Sequence, residues 1–311
     1  MNDSTYELLI VGGGPAGAAA AIYAARKRIK TLFLTTEWGG QSAVSSEIQN
    51  WVGTPKIMGT DLAGALKKHV ELYKGDVLEV VSPAEAVELT PFDDHVEIKT
   101  KKGQTYSAKS ALITTGAERR KLEVPGAAEY DQKGLTYCAS CDGPLYAGKD
   151  VAVIGGGNAA FETALQLLAY CKTVTLLNRT ENFRADEISI AAATAYSNMH
   201  IIKNAVPTQV VGAQFVTGIK YKDTTSGQET LLPVEGIFVE IGLLPNTTWI
   251  GDKLEKNQIG QIKVNPKTQR TSHPLIWAAG DCTDGLYHQN NIAAGDAVKA
   301  LEDIYMALRR N

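Results

Sequence analysis

Twice in this chain an apolar run ends in a glycine-rich turn that opens a helix of small residues. The first instance is Leu8–Val11, then Gly12-x-Gly14-x-x-Gly17, then an alanine-rich stretch to about Arg28 and a further apolar run over 31–35. Each glycine has a physical task. Gly12 permits a tight turn, Gly14 lets backbone N–H groups approach a pyrophosphate, and Gly17 lets the helix pack close on the sheet. Pro15 and Ala16 complete the helix start. Glu37, 20 residues past Gly17, stands near where a ribose-binding carboxylate is expected.

The second instance is Val151–Ile154, then Gly155-x-Gly157-x-x-Ala160, a helix to about Tyr170 and a strand over 173–177. Alanine in the third position is accepted in this fingerprint. Asn158 and Ala159 lie inside the turn. Where NAD-binding units usually carry an acid, this chain has Asn178-Arg179. Arg179 and Arg184 suit a 2′-phosphate, which favours NADPH over NADH. A third unit follows near the end. Leu275–Ala279 read as a strand, Gly280-Asp281 closes it, and a helix starts near Asn291. Asp281 suits the ribityl or pyrophosphate region of a flavin.

These repeats predict an α/β fold with two Rossmann-like, three-layer dinucleotide-binding domains, the second inserted into the first. Two linking stretches, 111–120 and 236–247, read as the crossings. The expected boundaries are 1–117 with 246–311 for one domain and 118–245 for the other. Residues 75–110 alternate polar and apolar in short runs, as an antiparallel β element does, and 210–234 read similarly.

Composition narrows the function. With 44% apolar residues, 21% charged residues and a net charge of −3, the chain is globular and lacks the clustered cations that nucleic acid requires. Leu8–Ala25 carry no charge, but Gly12, Gly13, Gly14 and Pro15 break any membrane helix there. No basic signal segment precedes them, so no membrane partner and a cytoplasmic location are expected. Four cysteines, Cys138, Cys141, Cys171 and Cys282, are too few and too uneven for a secreted disulfide framework. A lone C-x-x-C leaves a zinc site, or any metal, unexpected. Beside βαβ units, Cys138-x-x-Cys141 reads as redox-active. Cys171 and Cys282 read as core residues.

In order and spacing, "GGGPAG", "WGGQ", "TTGA", "CASCD", "GGGNAA", "NFRAD" and "AAGD…YHQ" resemble the low-molecular-weight thioredoxin reductases over nearly the whole chain. "TYCASCDGPLY" and "IFVEIGLLPNT" also resemble the C-terminal half of the alkyl hydroperoxide reductase flavoprotein. That larger protein carries thioredoxin-like domains ahead of this unit. Here the first glycine loop starts at residue 12, so those domains are expected to be absent and the acceptor a separate molecule.

The resemblance implies FAD in the discontinuous domain and NADPH, or NADH, in the inserted one. It implies a homodimer and a thioredoxin-like or glutaredoxin-like protein as electron acceptor. Cys138 is expected to attack the substrate disulfide and Cys141 to face the flavin. Asp142 serves as acid or base for these thiols, or as the turn-former of Asp-Gly-Pro. The inserted domain is expected to rotate, presenting dithiol and nicotinamide in turn. Thr35, Gly40, Gln41, Asn50, Thr115, Gly116, His288, Gln289 and Asn290 join the FAD set, and Ile241 and Gly242 the nicotinamide set. His288 replaces an arginine common in the family. Thr180 replaces one of its usual arginine pair, which keeps NADH, or another electron donor, open. An NADH-dependent reductase of a peroxiredoxin-linked carrier and a non-catalytic redox sensor are the alternatives.

Overall fold

A computed structural model describes residues 6–44, 48, 50–137 and 139–309; the side chains of residues 44, 140 and 141 lie outside that description. The chain divides into two compact units: unit 1 is 1–118 with 244–311, and unit 2 is 119–243.

Unit 1 begins with β1 (Tyr6–Gly13), α1 (Pro15–Arg26) and β2 (Thr31–Trp38). Then follow α2 (Gly59–Glu71), β3 (Leu78–Val81), β4 (Ala86–Pro91), β5 (Val96–Thr100) and β6 (Thr105–Ile113). The sheet order is β3-β2-β1-β6-β5-β4. β1 is flanked by parallel partners, Ile10 opposing Phe33 on one side and Leu112 on the other. Both of its edges are therefore paired, and packing covers both of its faces. Leu8 and Ile10 pack among the alanines of α1, whereas Leu9 and Val11 pack with Leu89, Val96 and Ile98. β6 serves two partners. Its first half pairs antiparallel with β5 and its second half parallel with β1.

The antiparallel expectation for 75–110 holds for β4, β5 and β6 but not for β3. Leu78–Val81 instead extends the parallel sheet beside β2. Leu78 is fully buried against the α1 layer, and that burial decides its side of the sheet.

The chain leaves unit 1 in β7 (Ala117–Arg119). Unit 2 contains β8 (Leu135–Thr136), α3 (Ala139–Asp142), β9 (Asp150–Ile154), α4 (Asn158–Leu168), β10 (Thr173–Leu177), α5 (Glu187–Thr194) and β11 (Met199–Ile202). An antiparallel sheet of β12 (Ala205–Gly212), β13 (Val216–Asp223) and β14 (Glu229–Pro233) follows, then β15 (Gly236–Val239). The central sheet is parallel throughout, in the order β11-β10-β9-β15-β8. Val151 and Val153 face Phe161 and Leu167 of α4, while Ala152 and Ile154 face Val210 and Ile219 of the antiparallel sheet. Three layers result.

The chain returns in β16 (Leu243–Pro245) and completes unit 1 with β17 (Ile276–Ala278) and α6 (Asn290–Arg309). β17 pairs with β6 at Ala111–Ile113, past the point where β5 leaves it. Trp277 and the α6 residues Ala297 and Leu301 close the core beneath α1. This is the doubly wound α/β architecture expected, with one Rossmann-like unit inserted in the other. No helix among the described residues is long and apolar enough to cross a membrane.

Candidate functional site

The carboxyl ends of β1, β2, β6 and β17 converge on a cavity of about 600 Å³ within unit 1. Ligand sites span roughly 300–1,000 Å³. Gly12 has φ +116°, and a Cβ there would lie 2.2 Å from the Thr114 carbonyl oxygen. A Cβ on Gly17 would lie 1.8 Å from the Gly12 carbonyl oxygen, so Gly17 sets the approach of helix to turn. A Cβ on Gly14 would meet nothing, because that side is the cavity. No side chain caps α1, so its first amides are available to an anion.

Of the residues expected at FAD, Gly12, Gly14, Pro15, Ala16, Thr35, Glu37, Gly40, Gln41, Thr115, Gly116, Gly280, Asp281 and Asn290 line this cavity. Gly17 lies beneath it. Asn50, His288 and Gln289 do not line it. Asn50 and Gln289 instead bond each other, the Asn50 amide donating to Gln289 at 2.9 Å. Asn291 donates to the Asn50 carbonyl at 2.6 Å. The His288 Nε2 lies 3.0 Å from the Gly285 carbonyl, which only accepts, so Nε2 carries the proton and donates. Its Nδ1 lies 3.7 Å from Asp281. Burial pushes the Asp281 carboxyl above the usual carboxylate range, with His288 opposing that shift.

Walls that the sequence did not announce come from distant segments. Ala84–Val87 and Trp249 line the cavity, as does Asn246, whose backbone carbonyl accepts from Thr115 at 2.7 Å and from the Trp249 indole at 3.1 Å. Ser42 also lines it and donates to Asn290 at 2.8 Å. A dinucleotide fits this set. An open glycine face and an uncapped helix start meet a pyrophosphate, and Glu37 and Asp281 offer acceptors to hydroxyl groups.

Unit 2 repeats the turn at the end of β9. Gly155 has φ +148°, and a Cβ there would lie 2.3 Å from the Glu240 carbonyl oxygen. Gly157 is open, and no side chain caps α4. Ala160 is buried at the third position, while Asn158 and Ala159 are exposed. Asn178 is buried and spends its amide on the carbonyls of Thr180 and Asn182, at 2.6 and 3.1 Å. Arg184 sits beside the turn because its backbone N–H donates to Gly156 at 2.7 Å. Arg179 and Arg184 are exposed, and among the described residues neither guanidinium has a partner. The acid between them, Glu181, is already paired with Lys203 at 2.9 Å and with Asn204 at 3.0 Å. Ile241 and Gly242 follow β15 at the same edge of the sheet.

Cys138 lies outside the described residues, as does the side chain of Cys141. The residues on either side are placed: Leu135–Thr136 form β8, Ala139–Asp142 form α3, and the Thr136 hydroxyl donates to Asp142. Cys171 and Cys282 are buried free thiols, one in each unit, and burial pushes both up to about 11. Among the described residues no three His, Cys, Asp or Glu side chains converge as a metal site requires.

The family model described as pyridine nucleotide-disulphide oxidoreductase matches residues 6–299. The chain is 43% identical over 296 residues to one of the subunits of Escherichia coli K12 alkyl hydroperoxide reductase, and 40% identical over 306 residues to a protein of Bacillus subtilis 168 named NADH dehydrogenase. It covers 57% and 59% of those proteins, and they cover 95% and 98% of it. Among solved structures, Lactococcus lactis thioredoxin reductase in its FR conformation superposes with TM-score 0.80 at 33% identity, over 98% of this chain and 100% of that one. Thioredoxin reductase of T. acidophilum superposes with TM-score 0.77 at 34% identity, over 98% and 99%.

Proposed function

Because the chain belongs to the pyridine nucleotide-disulphide oxidoreductase family, we propose that it is a flavin-dependent disulfide reductase. It takes electrons from NADPH and delivers them through Cys138 and Cys141 to a thioredoxin-like or glutaredoxin-like protein. The observation that carries this reading is the presence of a nucleotide turn at the carboxyl edge of the sheet in each unit, with β8 of the second sheet preceding Cys138 and α3 beginning just after it in the chain.

A flavin held in unit 1 supplies the two-electron link between nicotinamide and disulfide. The chain's own residues do the rest. The α1 amides and Gly14 hold the pyrophosphate, Glu37 a ribose, and Asp281 the ribityl region. Arg179 and Arg184 pair with the 2′-phosphate. The Cys138 thiolate attacks the acceptor disulfide and displaces one of its sulfurs. The Cys141 thiolate then attacks Cys138, releasing the second acceptor sulfur and leaving a Cys138–Cys141 disulfide. Asp142, oriented by Thr136, handles the thiol protons. The chain passes between the units in β7 and β16, which suits rotation of unit 2 between dithiol and nicotinamide presentation. The assembly is a homodimer, which sedimentation velocity tests.

A second reading has specific support. Thr180 stands where the family carries an arginine, and one relative bears the name NADH dehydrogenase. On that reading the donor is NADH and the acceptor a peroxiredoxin-linked carrier. One anaerobic experiment decides. The purified protein is yellow, and stoichiometric NADPH or NADH bleaches the flavin band at a rate that names the donor. Turnover with thioredoxin-like and peroxiredoxin-linked proteins then names the acceptor. A colourless protein, or Cys138→Ser with undiminished carrier reduction, sinks both readings.

A further inference from the structure

Glu240 is a carboxylate in the apolar run "GIFVEIG", and none of the chemistry above employs it. It follows β15 directly, at the carboxyl edge of the unit 2 sheet. Its side chain is only 13% exposed. Carboxylates are almost never buried this far without a structural or functional tie.

Three elements hold it. The Thr163 hydroxyl of α4 donates to Oε1 at 2.9 Å. The Arg119 guanidinium of β7 donates to the same oxygen at 3.3 Å. The Glu240 backbone N–H donates to the Ile154 carbonyl at 2.8 Å, at the end of β9. Its own carbonyl abuts Gly155, the first glycine of the turn. Burial raises its proton affinity, with Arg119 and Thr163 opposing and the like charge of Glu162 adding to the rise.

The strand order explains the placement. In β11-β10-β9-β15-β8 the chain runs from β9 outward through β10 to β11, while β15 returns on the other side. The order therefore reverses between β9 and β15, and doubly wound sheets bind an extended dinucleotide across that point. On the proposed function, the pyrophosphate would rest on the Gly155–Gly157 turn. Its adenosine half would lie on the β10 side, near Arg179 and Arg184. The other half must then lie on the β15 side, where Glu240 leads into Ile241 and Gly242.

We infer that Glu240 is a positioning residue for the nicotinamide half of the dinucleotide: by tying α4 and β7 to the end of β15, it fixes the Ile241–Gly242 wall against the glycine turn. This rests on unit 2 being the nicotinamide-binding unit. Glu240 acts through that wall, so its loss spares the adenosine side.

The test measures binding to the oxidised, flavin-loaded protein, without turnover. Dissociation constants are taken for NADP⁺, NAD⁺, adenosine 2′,5′-bisphosphate and AMP with wild type, Glu240→Gln and Glu240→Ala. In Glu240→Ala, Arg119 keeps its charge and loses its partner, and the whole dinucleotide binds about tenfold more weakly. Glu240→Gln keeps an acceptor for Thr163 and loses about threefold. The two adenosine-half ligands bind all three proteins within about twofold. Equal weakening of whole and half ligands would make Glu240 a general fold residue and overturn the inference, as would no weakening of the dinucleotide in either variant. If Glu240→Ala does not fold, Glu240→Gln alone carries the same comparison. A wild type that binds neither dinucleotide overturns the functional reading itself, and this inference with it.

Discussion

The two glycine turns share a plan and differ in their surroundings. In unit 1 the helix start at Pro15, Ala16 and Gly17 is buried, and the turn opens into a walled cavity. In unit 2 the corresponding Asn158 and Ala159 are exposed, and two guanidinium groups stand exposed beside the turn. The third position differs as well. Gly17 has no room for a Cβ, whereas Ala160 carries one. The same local motif thus makes an enclosed berth in one unit and an open one in the other. Enclosure slows exchange, and openness permits it. We read unit 1 as holding a resident cofactor and unit 2 as handling a substrate dinucleotide.

The largest effect should come from the dithiol. Cys138→Ser or Cys141→Ser removes thiol–disulfide exchange and lowers carrier reduction by about 10³-fold or more, because the other two thiols, Cys171 and Cys282, are buried and cannot replace it. Flavin content, read as visible absorbance after gel filtration, stays at the wild-type level. Loss of flavin in either variant would break the division of labour between the units.

Next in size is the third glycine position. Gly17→Ala forces a methyl onto the Gly12 carbonyl. Backbone cannot yield as a flexible side chain does, so this costs roughly 3 kcal/mol or more, with loss of bound flavin. The mirror change, Ala160→Gly, places glycine in a helix that tolerates alanine and costs about 1 kcal/mol. Thermal denaturation and flavin absorbance measure both. Equal costs would mean that the two turns are packed alike.

These contrasts also show what a sequence can reveal. The strand–turn–helix units were legible because a glycine needed for a close approach leaves a short-range mark, and because buried parallel strands such as Leu8–Val11 read as unbroken apolar runs. The cavity walls at Ala84–Val87, Asn246 and Trp249 were not legible. They reach the site through pairing between segments far apart in the chain, and nothing local distinguishes them. β3 misleads for the same reason: its residues read as part of an antiparallel element, and only long-range pairing with β2 and burial against α1 make it a parallel edge. Asn50, His288 and Gln289 came from resemblance, and the structure ties Asn50 to Gln289 and His288 to the Gly285 carbonyl, away from the cavity lining. Glu240 did leave a signal. A charge inside the apolar run "GIFVEIG" demands a partner, and the structure supplies Thr163 and Arg119.

A smaller effect sharpens the open-berth side. Arg179→Ala and Arg184→Ala should each weaken NADPH binding about tenfold, or ~1.4 kcal/mol, by removing one charge-assisted contact. NADH binding should change little. The ratio of KM values for the two nucleotides reads this directly. If both variants leave NADPH untouched while NADH turnover exceeds it, the donor is NADH and the exposed guanidinium groups serve another purpose.

The smallest effect uses one buried thiol in each unit. Cys171 lies in the unit 2 core and Cys282 in the unit 1 core beside the cavity. Burial raises both to about 11 from an ordinary 9.0, so the folded state holds these protons more tightly than the unfolded chain. The stability this represents is complete below about pH 9 and is lost as pH rises through 11. At pH 8 neither thiol should react with an alkylating reagent while its unit is closed. Rising urea then reads local opening, unit by unit. A flavin resident in unit 1 would stabilise that unit by mass action, so removing the flavin should lower the Cys282 labelling midpoint more than the Cys171 midpoint. Mass spectrometry of the labelled peptides resolves the two midpoints. A Cys282 midpoint that does not move on flavin removal would mean that the cofactor adds no stability to unit 1, and the assignment of the resident cofactor to that unit would fall.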